Sequence, residues 1–211
     1  MFIKTIENIK RYSCVIMLCY KTNKLFKKSC NHNLKKPIEN PLQTRYLKTV
    51  AKVAIIVGSD SDLEKASDAC TVLEELGVEY DLRVASAHRT PELLAEYMGQ
   101  IEERGVEVII AAAGWAAHLP GVVASYTTLP VVGIPIDSSC LNGLDSLLSI
   151  VQMPPGIPVA TMSIGKGGAR NAGIYAASIL SIKYPEVKES LSTFRQNLKK
   201  KVMKAAEKHN K

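Results

Sequence analysis

No apolar run in this 211-residue chain approaches the roughly 20 residues that a helix needs to cross a bilayer, so no membrane partner is expected. The five cysteines, Cys14, Cys19, Cys30, Cys70 and Cys140, are odd in number and irregular in spacing, and they give no disulfide framework. Cys30 and His32 stand close together, but no CxxC pair accompanies them and structural zinc normally takes four ligands at regular spacing. No metal is therefore expected, and the cysteines are read as reduced thiols of a cytoplasmic protein. The GxxxxGK[ST] pattern of a phosphate loop is missing. No GxGxxG follows the first apolar run, which argues against a nicotinamide cofactor.

Positive charge is unevenly spread. The net charge is +7, yet residues 1–50 hold eleven Lys/Arg against two Glu, while residues 51–211 hold sixteen against eighteen Asp/Glu. The basic character belongs to the N-terminal segment and does not argue that the folded part binds nucleic acid. That segment is rich in Lys and Asn, lacks Gly and shows no sustained period of 3.6 or 2. Its composition cannot build a core. The apolar patch Tyr12 to Tyr20 faintly resembles a signal-peptide core, but no A-x-A-like site follows; few acids fit a transit peptide, and scarce Arg and Ser do not. A disordered basic tail, a targeting peptide and sequence upstream of the true start stay open, with the first and last preferred. The expected division is a basic extension over 1–50, an α/β catalytic domain over 51–184 and a C-terminal helix over 185–211.

From Lys52 the pattern changes. Val53 to Val57 is a short apolar run ending in Gly58, which reads as a buried parallel strand. Asp62 to Leu76 follows with Leu63, Ala66, Ala69, Cys70, Leu73 and Leu76 on one helical face, and Gly77 supplies a stop. The unit then repeats. Strands are expected at 80–85, 106–113, 129–134 and 158–162, and helices at 91–104, 115–125, 144–151 and 169–182. Such alternation implies right-handed βαβ crossovers in a doubly wound, flavodoxin-like parallel sheet within a three-layer sandwich. A last helix, Glu186 to about Lys208, carries Leu191, Phe194, Leu198, Val202 and Ala205 along one stripe, suited to packing on the parent domain or on a neighbouring subunit.

In such folds ligands sit where strand ends meet helix N-termini. The first of these loops is Gly58-Ser59-Asp60-Ser61-Asp62. Its glycine permits close approach, its hydroxyls can donate, and the following helix offers free N–H groups to an anion. An ordinary N-cap is the plainer reading, although a cap needs one such residue and here there are four in a row. The second loop, Ser86 to Pro91, places His88 directly before Arg89. Imidazole titrates near neutrality, and guanidinium grips phosphate or carboxylate. The third, Ala113 to Gly121, is built of small residues around Trp115 and His118. His88 and His118 are the only histidines between residues 51 and 208. The fourth and fifth loops, Ser138 to Asp145 and Gly165 to Asn171, are also rich in small and polar residues.

GSDSD at 58–62, SAHRTP at 86–91, AAHLPG at 116–121, SLLSIVQMPPGIPVAT at 146–161 and IGKGGARNA at 164–172 resemble, in order and spacing, the N5-carboxyaminoimidazole ribonucleotide mutases. This is the class I group of the phosphoribosylaminoimidazole carboxylase catalytic-subunit family. The resemblance covers about residues 52–184. It implies an isomerase of de novo purine synthesis that turns the N5-carboxy ribonucleotide into its 4-carboxy isomer without a cofactor. It also implies a homo-octamer with its sites at subunit contacts. Carried onto this chain, Ser59, Asp62 and Arg89 hold the ribose phosphate, with Ser61 as a further donor. Ser86 and the backbone of Gly114, Ala116 and Ala117 line the base and carboxylate site beside Leu119. His88 carries the proton. His118 is either a partner in the site or a cap for the third loop. Trp115 departs from the family pattern, because many relatives have a second glycine there. It could point outward, pack at a subunit contact or cap the pocket.

Three competing readings remain. The related carboxylase takes free CO2 onto aminoimidazole ribonucleotide in the same frame, and AAHLPG favours the mutase. Enzymes that carboxylate a pyridine dinucleotide usually carry a further large N-terminal domain. The third alternative is a non-catalytic nucleotide-binding module with an oligomerising C-terminal helix.

Overall fold

The computed structural model describes residues 52–210. The expectations for residues 1–50 lie outside the described residues. The elements in chain order are β1 (Val53–Val57), a 3-10 turn (Asp60–Asp62), α1 (Leu63–Glu75), β2 (Tyr80–Val84), α2 (Pro91–Gly99), β3 (Val108–Gly114), α3 (Leu119–Tyr126), β4 (Val131–Ile136), α4 (Leu144–Val151), β5 (Ala160–Thr161), α5 (Gly165–Leu180) and α6 (Pro185–His209). All strands pair in parallel, in the order β2-β1-β3-β4-β5. This is the flavodoxin-like doubly wound order expected from the alternation of elements. The extra C-terminal helix is present as α6.

Period-two alternation sorts the strand residues into two apolar layers. Val53, Ile55 and Val57 of β1, with Val108, Ile110 and Ala112 of β3, face α1, α5 and the start of α6. Ala54, Ile56, Ile109 and Ala111 face α2, α3 and Ile150 of α4. The strands are therefore buried on both faces, which is why they read as continuous apolar runs. The edge strands β2 and β5 are the exceptions, and β2 carries Asp81 and Arg83.

Two glycines set the helix spacing. A Cβ on Gly173 of α5 would lie 2.4 Å from Val72 Cγ1 and 2.9 Å from the Ala69 carbonyl, so α5 can sit this close to α1 only with hydrogen there. A Cβ on Gly133 of β4 would lie 2.4 Å from Ile150 Cγ2, which fixes α4 over that strand. The first turns of α6 join the parent core through Val187 and Leu191, with Phe194 packed alongside. Further along, Leu198, Val202 and Met203 are exposed. No helix of the described residues is long and apolar enough to cross a membrane.

Three helix boundaries differ by four residues or more from the sequence expectation. The second helix ends at Gly99 rather than Arg104, and residues 100–105 continue as turns up to Gly105, whose φ is +77°. The third helix starts at Leu119 rather than Trp115, because Trp115 takes a φ of +56° that no α-helix accommodates. The helix expected from Ala169 starts four residues earlier, at Gly165. The run Gly165 to Asn171, expected as a ligand loop, is thus its first two turns. A Cβ on Gly168 would lie 1.6 Å from the Ser163 carbonyl oxygen, so this glycine serves a close backbone approach and not a ligand.

At the N-terminal ends of the strands Glu107 ties the fold together. Its carboxylate accepts from Lys183 Nζ at 3.1 Å and from the Tyr184 hydroxyl, and it pairs with Lys52 Nζ at 3.3 Å. Burial works against the charge. The hydrogen bonds from Tyr184, Lys183 and Lys52 outweigh it and hold the carboxyl below its usual range. The charged form is thereby favoured in the folded state, so its contribution is present above the unfolded carboxylate pKa and is lost as pH falls through the lowered one. Glu107→Gln should cost about 1 kcal/mol at pH 7, a fall of roughly 2–4 °C in Tm. Melting curves from pH 7 down to about 3.5 should show the gap from the parent narrowing below about pH 5. A gap independent of pH would assign the loss to packing instead.

Candidate active site

The register brings the first three strands to a common height. Val57 of β1 is level with Val84 of β2 and Ala112 of β3. Their following loops therefore leave the sheet side by side, at the point where strand order reverses around β1. They enclose a cavity of about 540 Å³ lined by residues 58–62, 86–89 and 113–119, with Ser138 from beyond β4. All of Ser59, Ser61, Asp62, Ser86, His88, Arg89, Gly114, Ala116, Ala117, His118 and Leu119 line it.

The first loop does not spend its side chains on capping. Ser59 precedes the 3-10 turn and Asp62 precedes α1, yet neither makes a side-chain cap hydrogen bond. The Ser59 hydroxyl instead donates to Asp62 Oδ2 at 2.9 Å and meets the Ser61 hydroxyl at 2.6 Å. A chain of polar groups thus lies along the cavity floor, with Asp62 largely buried.

The second loop closes on itself. The Thr90 amide donates to the Ser86 carbonyl at 3.1 Å, Thr90 Oγ1 accepts from the Ser86 amide at 3.0 Å, and the Arg89 amide donates to Ser86 Oγ at 3.2 Å. His88 sits in this turn. Arg89 reaches across to the first loop, where its Nη2 donates to the Gly58 carbonyl at 3.0 Å. That bond fixes the guanidinium between two loops while leaving other N–H groups for an anion.

The third loop brings His118 to His88. His88 Nε2 and His118 Nδ1 are 2.9 Å apart, and the rings meet edge to face at 83° with centroids 5.0 Å apart. His118 immediately precedes α3 but makes no side-chain cap bond there. Its ring meets His88 instead. The pair can share one hydrogen along this line, one ring donating and the other accepting.

Close packing controls the third loop. A Cβ on Gly114 would lie 2.0 Å from Ser138 Oγ and 2.9 Å from Ser138 Cβ, so only glycine lets Ser138 reach the cavity. The sequence marks the loop that begins at Ser138 as small and polar but gives Ser138 itself no role. Its signal lay in the strand pairing, because Ile136, two residues before it, is level with Gly114. Asp60, Ala87 and Ala113 also line the cavity and were not assigned a role. They sit within or beside the motifs that were. The cations of the presumed fifth loop are turned elsewhere: Lys166 pairs with Glu64 at 3.2 Å and Arg170 with Glu75 at 2.7 Å. Among the described residues, Arg89 is the only Lys or Arg lining the cavity. Among the described residues no group of three or more His, Cys, Asp or Glu is placed to hold a metal ion.

The model of the AIR carboxylase family matches residues 52–201. The chain is 62% identical over 149 residues to the N5-carboxyaminoimidazole ribonucleotide mutase of Pyrococcus abyssi, covering 71% of this chain and 84% of that one. It is 55% identical over 155 residues to the mutase of Bacillus subtilis, covering 74% and 96%. Among solved structures, Treponema denticola PurE superposes with a TM-score of 0.69 at 28% identity, covering 75% of this chain and 98% of that one.

The contact between Gly114 and Ser138 is directly testable. Gly114→Ala should destabilise the fold by roughly 1–3 kcal/mol through overpacking, and Ser138→Gly introduced with it should restore most of the loss. Denaturant titrations of the two single variants and the double variant give the coupling. Additive losses would show that the two positions do not press on each other.

Proposed function

The chain belongs to the AIR carboxylase family, and we propose that it is an N5-carboxyaminoimidazole ribonucleotide mutase, an isomerase of purine biosynthesis. The observation that carries this reading is the imidazole pair His88–His118 set among small residues and flanked by one guanidinium. A carboxyl transfer of this kind needs a proton carrier, a grip on the nucleotide and space for CO2. The cavity offers one of each.

His88 is the general acid and base. With His118 accepting from Nε2–H, His88 keeps that hydrogen throughout and carries the working proton on Nδ1. It protonates the carbamate nitrogen, and the C–N bond breaks to leave CO2 and the ring amine. The ring C4 carbon then attacks CO2. His88 takes the C4 proton, which restores both the aromatic ring and the starting state of the imidazole. The wall of Ala113, Ala116, Ala117 and Gly114 is small and carries no competing side-chain donor, so CO2 held there recombines before it escapes. Ser86 and the backbone of this wall orient the carboxylate, and Leu119 packs beneath.

Arg89 with Ser59 and Ser61 grips the phosphate. Asp62, an acceptor already bonded to Ser59, suits ribose hydroxyls and not a second anion. Binding at the phosphate end holds the ring in place while the bond changes occur elsewhere. No cofactor is required by this scheme.

The enzyme works as a cytoplasmic homo-octamer with sites near subunit contacts. Supporting this, Leu144, Leu148 and Val151 form an i, i+4, i+7 stripe on α4 that is about half exposed in the single chain. His88 is itself exposed there, so a further chain is needed to enclose the reaction.

His88→Asn is expected to abolish turnover while nucleotide affinity stays within about tenfold, or roughly 1.4 kcal/mol; unchanged activity would rule out the acid/base role. His118→Phe should lower kcat by at least about tenfold and alter its pH profile with little change in KM, as expected for a group acting through His88. Purified enzyme should turn over carboxyaminoimidazole ribonucleotide in preference to the uncarboxylated nucleotide plus bicarbonate. The opposite preference identifies the carboxylase that uses free CO2. Light scattering should give eight chains per particle, and Leu148→Glu should dissociate it.

A further inference from the structure

Trp115 is the only tryptophan in the chain. It combines three features that ordinary packing does not explain. Its φ is +56°, a left-handed conformation that bulky side chains rarely adopt. Its neighbour Gly114 has a packing reason to be glycine, yet the left-handed position itself is filled by the largest side chain available. The residue is also 65% exposed although it lines the cavity. It therefore gains little from the core and stands at the cavity mouth, on the loop that carries His118. Strained backbone held at a site, with no packing return, points to a role in binding.

We propose that Trp115 closes over the bound nucleotide and stacks on its five-membered ring, acting as a binding residue for the substrate and not as a structural one. This rests on the nucleotide reading above. Indole is a flat, electron-rich surface, and a heteroaromatic ring held by its phosphate at Arg89 and worked on at His88 must present a face to the cavity mouth. Stacking there removes one face of the ring from water and narrows the route by which CO2 could leave. A stacking platform needs only to be aromatic, so phenylalanine should serve in its place.

Because Trp115 is the only indole, fluorescence of the full-length enzyme reports on this residue alone. The product nucleotide, 4-carboxy-5-aminoimidazole ribonucleotide, should quench or shift the emission, whereas ribose 5-phosphate, which has no aromatic ring to stack, should not. In steady-state assays Trp115→Gly should raise KM about tenfold, while Trp115→Phe stays near the parent. The melting temperature of Trp115→Gly should not fall, because glycine accepts the left-handed backbone. This separates lost stacking from misfolding.

An unchanged KM in Trp115→Gly overturns the proposal. So does a changed particle mass with KM intact, which would make Trp115 a subunit contact. If the parent enzyme neither turns over carboxyaminoimidazole ribonucleotide nor binds the product, the function reading fails and the stacking role falls with it. Parent turnover combined with indifferent Trp115 variants refutes the stacking alone.

Discussion

The reversal of strand order around β1 is the constraint on which the site depends. From β1 the chain crosses one face of the sheet through α1 to reach β2. From β2 it crosses the other face through α2 to reach β3 on the far side of β1. Two connections that start at the same height and leave toward opposite faces cannot fill the space between them. A crevice opens there whatever the loops contain. The level register of Val57, Val84 and Ala112 then ensures that all three loops border it. Residues 30 apart in sequence, His88 and His118, come within hydrogen-bond distance as a consequence.

The two ends of the sheet divide the work. At the N-terminal ends of the strands, Glu107 gathers Lys52, Lys183 and Tyr184 around one carboxylate and joins β1, β3 and the start of α6. Polar groups there are paired, and their contribution is to stability. At the C-terminal ends the arrangement is the reverse. The Ser59 and Asp62 side chains leave helix capping undone, Trp115 holds a backbone conformation unfavourable to it, and both histidines are exposed. Strained backbone and exposed imidazoles gather at the cavity, and paired charges gather where the fold is held.

Much of this was legible in the sequence, for a physical reason. Strands buried on both faces must be apolar throughout, so β1 and β3 announced themselves. Parallel strands need helical crossovers, so alternation alone implied the sheet. The first three loops were found because chemistry-bearing residues are clustered there without interruption. Glycine caused the main error. Gly165, Gly167 and Gly168 read as a loop of small and polar residues, whereas Gly168 clears the Ser163 carbonyl, and Lys166 and Arg170 face acids on α1. Composition shows that backbone must come close to something at such positions. It does not show whether the something is a ligand or the chain itself. Ser138 was missed for the converse reason: its place in the cavity depends on the pairing of β3 with β4, which no local pattern reveals.

Enclosure, more than added catalytic groups, is what the site requires. A single imidazole can give and take back the same proton, so acid and base need not be separate residues. The harder demand is to keep CO2 beside C4 until the bond forms. Alanine and glycine walls supply a small space but no roof, and His88 stands exposed in the isolated chain. The roof has to be assembled from what arrives. In the proposed scheme the nucleotide, held by its phosphate end at Arg89, covers part of the opening. The indole of Trp115 is placed to cover the ring. The apolar stripe on α4 is a surface on which another chain can complete the closure. Only binding and assembly bring these parts together as a roof. On this scheme the open cavity of the single chain and the closed one that the reaction needs are two stages of the same design, and release of the carboxyl group is confined to the stage in which recapture is assured.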